Sequence, residues 1–162
     1  MLGKNSVRLV ALGAALLLAL AALFYPTDEK RVKEAAQALV TAANRGGVEL
    51  QGALERYAEP EVSVSIAELS EPLVGREAIV AKVADVTSLG QRPSFRLEAV
   101  EVSLEGKRAR LNADLLTTLQ AEVPELRRPR HSVALFEKRG DVFRLRSVEI
   151  GRPRMDQPEA RP

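Results

Sequence analysis

A single apolar run near the N-terminus divides this chain into two unequal parts. Leu9 to Tyr25 are seventeen consecutive apolar or small residues, and no charged residue occurs between Arg8 and Asp28. As a helix rising about 1.5 Å per residue, the run would span about 26 Å, close to the roughly 30 Å of a bilayer's hydrocarbon core. It predicts a hydrophobic helix within residues 1–27 that anchors the chain in a membrane by a single pass.

Two other interpretations of this run are open. Ala19-Leu20-Ala21 offers a small-x-small site at which a signal peptide could be cleaved. A helix that is apolar on every face could also be buried in a protein core. Basic residues flank the run on both sides, so the positive-inside rule does not fix its orientation. The basic-then-apolar order favours a domain outside the cytoplasm, on the periplasmic side, whether anchored or exported after cleavage.

The charge and composition of the rest of the chain exclude several classes of function. The formal charge of +2 comes from Lys4 and Arg8, since residues 27–162 carry 22 basic and 22 acidic side chains. A nucleic-acid binder usually has a basic excess, so no nucleic-acid partner is expected. With no cysteine and one histidine, disulfides and Cys- or multi-His metal sites are excluded. We expect neither a metal nor a cofactor.

The first part of the folded region has helical periodicity. Thr27 is suited to be an N-cap, and Asp28 and Glu29 place negative charge at the positive end of a helix dipole. Apolar residues then recur at three- and four-residue spacing until Gly46-Gly47. The pattern predicts helices at about 28–45, 50–57 and 75–86, with a strand at 62–66 between the second and the third.

From Ser94 onward the pattern is that of strands. The apolar residues of 95–99 have one parity and those of 100–104 have the other, which predicts a bulge near Ala99. The last two strands form a hairpin around Arg139-Gly140-Asp141. The predicted class is α+β, with three helices packed on a strongly curved, bulged antiparallel sheet in the order α-α-β-α-β-β-β-β. The domain is predicted to cover 28–150, and the proline-containing tail 151–162 is predicted to be disordered.

Three segments resemble one known superfamily. Residues 54–62 (LERYAEPEV), 72–79 (PLVGREAI) and 140–145 (GDVFRL) are similar to passages of the SnoaL-like superfamily, also called the nuclear transport factor two-like or cystatin-like cone. In that superfamily a curved sheet wraps the helices and leaves a conical cavity, which members use for small ligands or catalysis, or fill with side chains. The resemblance therefore implies a fold without fixing a function.

The resemblance also implies where a catalytic site would lie. Ketosteroid isomerase and the polyketide cyclases of the superfamily use carboxylic acids within the cone. In a hand alignment, the isomerase's base falls near Ser65 and its donor falls near His131 or Ser132, so both expected acids are missing. We therefore predict no catalytic residue.

Tyr57, Asp114 and His131 are the candidates for ligand contact inside the cone. Each also has a simpler interpretation. Tyr57 would pack in the core, and His131 would be a solvated residue at the start of a strand. Asp114 shares its parity with Arg108, Arg110 and Asn112, which favours the outer face of the sheet.

Five arginines are the candidates for a patch that binds an anionic partner, such as lipid headgroups or an acidic protein. Three belong to the densest basic stretch of the sequence, and two share a parity on the last strand. They are Arg127, Arg128, Arg130, Arg144 and Arg146. The alternative is a solvated loop whose arginines are balanced by nearby glutamates.

Three functions fit this sequence. The first is a membrane-tethered, non-enzymatic interaction or assembly domain of the cell envelope, with the sheet or the cone mouth as its contact surface. One N-terminal span before a cone domain is similar to the inner-membrane assembly components of type IV secretion systems and to proteins associated with mammalian-cell-entry lipid transporters. The second is a cone that binds small apolar ligands, and the third is a cone enzyme of the isomerase, cyclase or dehydratase type. The resemblance also implies a homodimer formed through the open sheet.

Overall fold

Residues 27–88, 93–118 and 129–153 of the chain are described by a computed structural model. They form helices α1 (Asp28–Arg45), α2 (Gly47–Tyr57) and α3 (Arg76–Ser88). The strands are β1 (Ala58–Ile66), β2 (Leu73–Val74), β3 (Ser94–Glu105), β4 (Arg108–Thr118), β5 (Arg130–Arg139) and β6 (Val142–Pro153). The predicted α+β class, with three helices on one curved, bulged sheet, is confirmed.

The predicted membrane segment, Leu9 to Tyr25, lies outside the described residues. Among the helices that the structure describes, none combines the length and the apolar character needed to cross a bilayer. The anchor therefore stays a prediction from the sequence.

The connection between α1 and α2 is tighter than the sequence suggested. Thr27 caps α1, its side-chain oxygen accepting a hydrogen bond from the Lys30 backbone N at 3.3 Å. Gly46 and Gly47 have φ values of 70° and 53°, a left-handed conformation that glycine adopts without steric cost. A single residue, Gly46, therefore connects the two helices, and α2 begins at Gly47 rather than at the predicted Leu50.

The sheet is mixed, and not antiparallel throughout as predicted. Its strand order is β2-β1-β6-β5-β4-β3, and β1 pairs with β6 in parallel. The two strands are far apart in the sequence, and β6 enters beside β1 in the same direction. Such a long-range pairing leaves no local pattern in the sequence. The additional strand β2 has only two residues, which are too few to show the alternation by which a strand is predicted.

The predicted bulge near Ala99 is confirmed. The register of β3 against β4 shifts between Glu98 and Glu101, and Ala99 has a φ of 49°. A second shift lies between β5 and β6, where Phe136 pairs with Leu145 but Leu135 pairs with Ser147. Arg146 is therefore the extra residue on β6, and the sheet bends at both places.

Strand β6 continues beyond the predicted end of the domain at residue 150. Pro153 is paired with Arg130 of β5, so 151–153 are strand residues and the prediction of a disordered tail from 151 is wrong at its start. Proline is tolerated at a strand end, where its missing N–H costs no ladder hydrogen bond. Residues 154–162 lie outside the described part.

The core lies between the helices and one face of the sheet, called here the inner face. On β4, Ala109, Leu111 and Ala113 are buried, whereas Arg108 and Arg110 are exposed on the other, outer face. The largest fully buried side chains are Phe136, Phe143, Leu111, Val32 and Val62. This strict alternation separates an apolar inner face from a charged outer face.

Candidate functional site

The larger described concavity is a groove of about 830 Å³ on the outer face of the sheet. Residues of β1, β3, β4, β5 and β6 line it, so it crosses five strands. We call it the outer groove. It lies on the side of the sheet opposite the helices. The conical cavity that the resemblance implies would lie on the helix side.

One row of laterally paired residues forms the floor of the outer groove. Ser103 pairs with Arg110, Arg110 with Leu135, Leu135 with Ser147, and Ser147 with Ser63. Three of these five side chains are serines, which are short and leave a depression between longer neighbours. Leu135, in the middle of the row, is 43% exposed. The floor thus has Leu135 at its centre, Arg110 beside it and serine hydroxyl groups at the other positions.

An ion-pair network forms one wall of the outer groove. Arg139 Nε lies 3.0 Å from Glu59 Oε1, and Arg146 Nη1 lies 3.0 Å from Glu137 Oε2. Arg139 also approaches Glu137, with 3.5 Å between Nη2 and Oε1. The hydrogen bond to Glu59, reinforced by the charge of Glu137, raises the pKa of Arg139. These arginines are therefore already engaged by carboxylates.

Arg108 and Arg110 have no such partner. Both are exposed, and neither forms a salt bridge with another residue of the described part. Arg108 lies opposite Glu105 on β3 and Glu137 on β5, but no carboxylate of that part comes within 4.0 Å of its guanidinium. A guanidinium free to form two parallel hydrogen bonds suits a carboxylate or a phosphate. The groove therefore presents the guanidiniums of Arg108 and Arg110, which are not in salt bridges within the described part, beside a wall whose arginines are already paired with carboxylates.

The three cone candidates do not converge. Asp114 and His131 are cross-strand partners on the outer face, with 3.8 Å between Asp114 Oδ1 and His131 Nδ1. Their side chains are 20% and 51% exposed, respectively. Tyr57 ends α2 and packs, half-buried, against the core on the opposite side of the sheet. Asp114 thus shares the outer face with Arg108 and Arg110, as its parity predicted, and its partner His131 lies on the same face.

The three arginines of the predicted patch that the structure describes are not all brought together. Arg127 and Arg128 lie outside the described residues. Arg130 pairs with Pro153 at one end of the β5–β6 ladder, whereas Arg144 pairs with Glu137 near the other. Seven residues at about 3.3 Å each separate Arg130 from Glu137, roughly 20 Å. Arg130 and Arg144 therefore lie near opposite ends of the β5–β6 ladder and do not share one continuous surface.

The inner side of the domain is apolar and incompletely covered. Helix α3 has no fully buried residue, although its Ile79, Val80 and Val83 pack against the core. Tyr57 belongs to the same half-buried layer. Within the described ranges, no group of three or more His, Asp or Glu side chains is placed to hold a metal ion.

The outer groove could not be predicted from the sequence because it depends on the register of the strands. The exposure of Arg108 and Arg110 follows from alternation within one strand, and this much was predicted. That Ser63, Ser103 and Ser147 lie in one row with Arg110 depends on pairings across four ladders. No pattern within a single strand predicts such a row.

Comparison with known proteins identifies the fold. No protein-family model matches the chain, and no curated protein matches it. A proposed dehydratase of the nuclear transport factor two-like family from Streptomyces avermitilis superposes with a TM-score of 0.63 at 20% identity, over 79% of this chain and 96% of that one. A nuclear transport factor two-like protein with a cystatin-like fold from Novosphingobium aromaticivorans gives a TM-score of 0.63 at 16% identity, over 99% and 95%.

A third solved structure, an uncharacterised protein with a cystatin-like fold from Caulobacter vibrioides, gives a TM-score of 0.60 at 16% identity over 77% of this chain and 89% of that one. Identities this low indicate a shared fold and leave activity open. The described domain therefore has the nuclear transport factor two-like, cystatin-like α+β fold.

Proposed function

We propose that this chain is a non-enzymatic interaction domain of the cell envelope, tethered to a membrane through Leu9 to Tyr25. Its contact surface is the outer groove, and its partner is an envelope protein with an acidic segment. The observation that carries the proposal is the pair Arg108 and Arg110, two exposed guanidiniums without a salt-bridge partner in the described part of the chain, beside a floor with an exposed Leu135.

The composition of the outer groove supports a protein partner. Interfaces combine an apolar centre with a polar rim, and arginine is enriched among the residues that dominate binding. Leu135 supplies the apolar centre, and the arginines with Glu59, Glu61 and Glu105 supply the rim. The presence of both signs of charge also suits a second copy of the chain, which is the predicted homodimer.

Crosslinking in native membranes, followed by gentle purification and mass spectrometry, tests this function. We expect the wild type to recover an envelope protein in near-stoichiometric amount, and the variant Arg108→Glu/Arg110→Glu to lose most of it. The matched control is Arg96→Glu/Arg152→Glu, which reverses two exposed arginines at the other end of the strands. Recovery of the chain alone, or equal recovery of the partner with both variants, would contradict the proposal.

The second candidate function is the binding of a small apolar ligand inside the cone. It is favoured by the half-buried apolar layer of Tyr57, Ile79, Val80 and Val83 on the inner side. Apolar pockets with a few polar groups are the usual form of small-molecule sites. In the same purification, an apolar molecule that accompanies the chain without any protein would favour this function over the first.

A further inference from the structure

Three segments of the domain meet at one end of the molecule. They are the first residues of α1 (28–33), the turn between β3 and β4 (105–108) and the turn between β5 and β6 (138–144). The Lys138 ammonium lies 2.7 Å from Asp28 Oδ2 and 2.9 Å from Oδ1. Arg31 donates a hydrogen bond to the Asp141 carbonyl at 3.3 Å, and the Lys138 backbone N donates to the Lys107 carbonyl at 2.7 Å. These contacts hold both turns beside the start of α1.

This end of the domain is separated from the predicted membrane segment by only a few residues. Only Pro26 and Thr27 separate Tyr25 from Asp28. A fully extended chain covers at most about 3.6 Å per residue, so Asp28 lies within about 11 Å of the end of the apolar run. Each headgroup layer adds roughly 5–8 Å to the hydrocarbon core. The two turns, in contact with α1, must therefore lie close to the headgroups if the run spans the membrane.

This end also concentrates positive charge. The three segments contain eight Lys and Arg residues against four Asp and Glu residues, whereas the whole chain has 24 against 22. The end thus carries a net charge of +4, and the remainder of the chain carries −2. Glu59 and Glu137 lie next to it and are engaged by Arg139 and Arg146. Counting the neighbouring Glu34, Glu59, Glu137 and Arg146 as well still leaves a net charge of +2.

Two exposed lysines of this end, Lys30 and Lys107, are available to an external anion. Lys107 is exposed and forms no salt bridge with another described residue. The Lys30 side chain is 66% exposed, with its ammonium 3.9 Å from Glu34, a distance at which little energy is gained. A bilayer surface that contains anionic lipids attracts nearby basic residues over about one Debye length, roughly 8 Å at physiological salt.

We propose that this basic end lies against the membrane and that Lys30 and Lys107 contact anionic phospholipid headgroups. The inference rests on the proposed function for its membrane segment alone, and not for the outer groove. It gives the domain a fixed orientation, with the β3–β4 and β5–β6 turns toward the bilayer and the start of β3 away from it. Because Arg108 and Arg139 belong to both this end and the groove, the groove then opens near the membrane surface.

The absence of native cysteine permits a direct test on the full-length chain. A spin label is attached at Asp141→Cys, whose native side chain is 97% exposed, or at Ser94→Cys, an exposed position at the other end of the sheet. Each labelled protein is reconstituted in nanodiscs of phosphatidylcholine with phosphatidylglycerol, containing a lipid with a nickel-chelating headgroup. We expect nickel to relax the label at 141 several-fold faster than the label at 94.

Charge reversal separates lipid contact from tethering alone. Lys30→Glu/Lys107→Glu should reduce the difference in nickel-induced relaxation rate between the label at 141 and the label at 94. Omission of phosphatidylglycerol should reduce the same difference. The control Arg96→Glu/Arg152→Glu should leave the difference unchanged. Equal relaxation of both labels, an unaltered difference after reversal of Lys30 and Lys107, or a chain that does not enter the nanodisc would overturn the proposal. Lys30 and Lys107 do not line the outer groove, so these outcomes are independent of partner recovery by the groove variant.

Discussion

At the scale of single residues, the ion pair between Arg130 and Glu68 predicts how the stability of the fold depends on pH. Arg130 Nη1 lies 2.6 Å from Glu68 Oε1, and this hydrogen bond lowers the pKa of the Glu68 carboxyl against a smaller opposing effect of burial. A carboxyl whose pKa is lower in the folded state stabilises the fold above its unfolded pKa, about 4.3 for Glu. The contribution is lost as the pH falls through the lowered folded value.

We therefore expect Glu68→Gln to reduce the free energy of unfolding at neutral pH. The glutamate side chain is 48% exposed, so solvent screening limits the loss to less than about 1 kcal/mol. Urea unfolding at neutral pH and at a pH well below the ordinary Glu range measures the difference between variant and wild type. An equal loss at both pH values would contradict the electrostatic origin of the effect.

Asp114 and His131 show how far single residues could be predicted. The alternation of β4 predicted the outer-face position of Asp114, because alternation is a property of one strand. The contact between Asp114 and His131 could not be predicted, since it depends on which residue of β5 lies opposite Asp114. Tyr57 was placed in the core by its position on a helix face, and the structure confirms that packing.

At the scale of elements, the bulge in β3 predicts an unusual response to glycine. Ala99 has a φ of 49°, a conformation that costs an L-residue roughly 1–2 kcal/mol. Glycine removes that cost but loses more conformational entropy on folding, roughly 0.5–1 kcal/mol. Ala99→Gly should therefore increase the free energy of unfolding slightly, by about 0.5–1 kcal/mol.

The matched control for Ala99→Gly is Ala81→Gly, at an exposed position within α3. Glycine in a helix interior costs about 1 kcal/mol, so this change should destabilise the protein. Denaturant unfolding measures whether the free energy of unfolding rises for Ala99→Gly and falls for Ala81→Gly. Destabilisation by both substitutions to the same extent would show that Ala99 is not strained.

The elements that sequence reasoning placed correctly are those with long, regular patterns. Helix α1 and the strands β3 and β4 have enough residues for their periodicity to show, including the change of parity that marks the bulge. The two-residue β2 and the parallel pairing of β1 with β6 lack such a pattern. The resemblance to the superfamily supplied the overall architecture, but it did not supply the register that creates the outer groove.

At the scale of the whole molecule, two surfaces are distinguished by charge and position. The basic end lies at the start of α1, next to the predicted anchor, and the outer groove opens beside it. A domain oriented in this way would present Arg108 and Arg110 to a partner that approaches along the membrane. The inner side, with its apolar layer, lies across the sheet from that contact.

Site-specific photo-crosslinking in native membranes tests the role of the outer groove most directly. One photoreactive amino acid replaces Leu135 on the groove floor, and in a matched variant another replaces Gln37, exposed on the far side of α1. We predict that the probe at 135 crosslinks to a different envelope protein, while the probe at 37 does not, and crosslinks from 135 only to a second copy of the chain would assign the groove to a homodimer instead. Crosslinks from position 37 with none from position 135 would contradict the account.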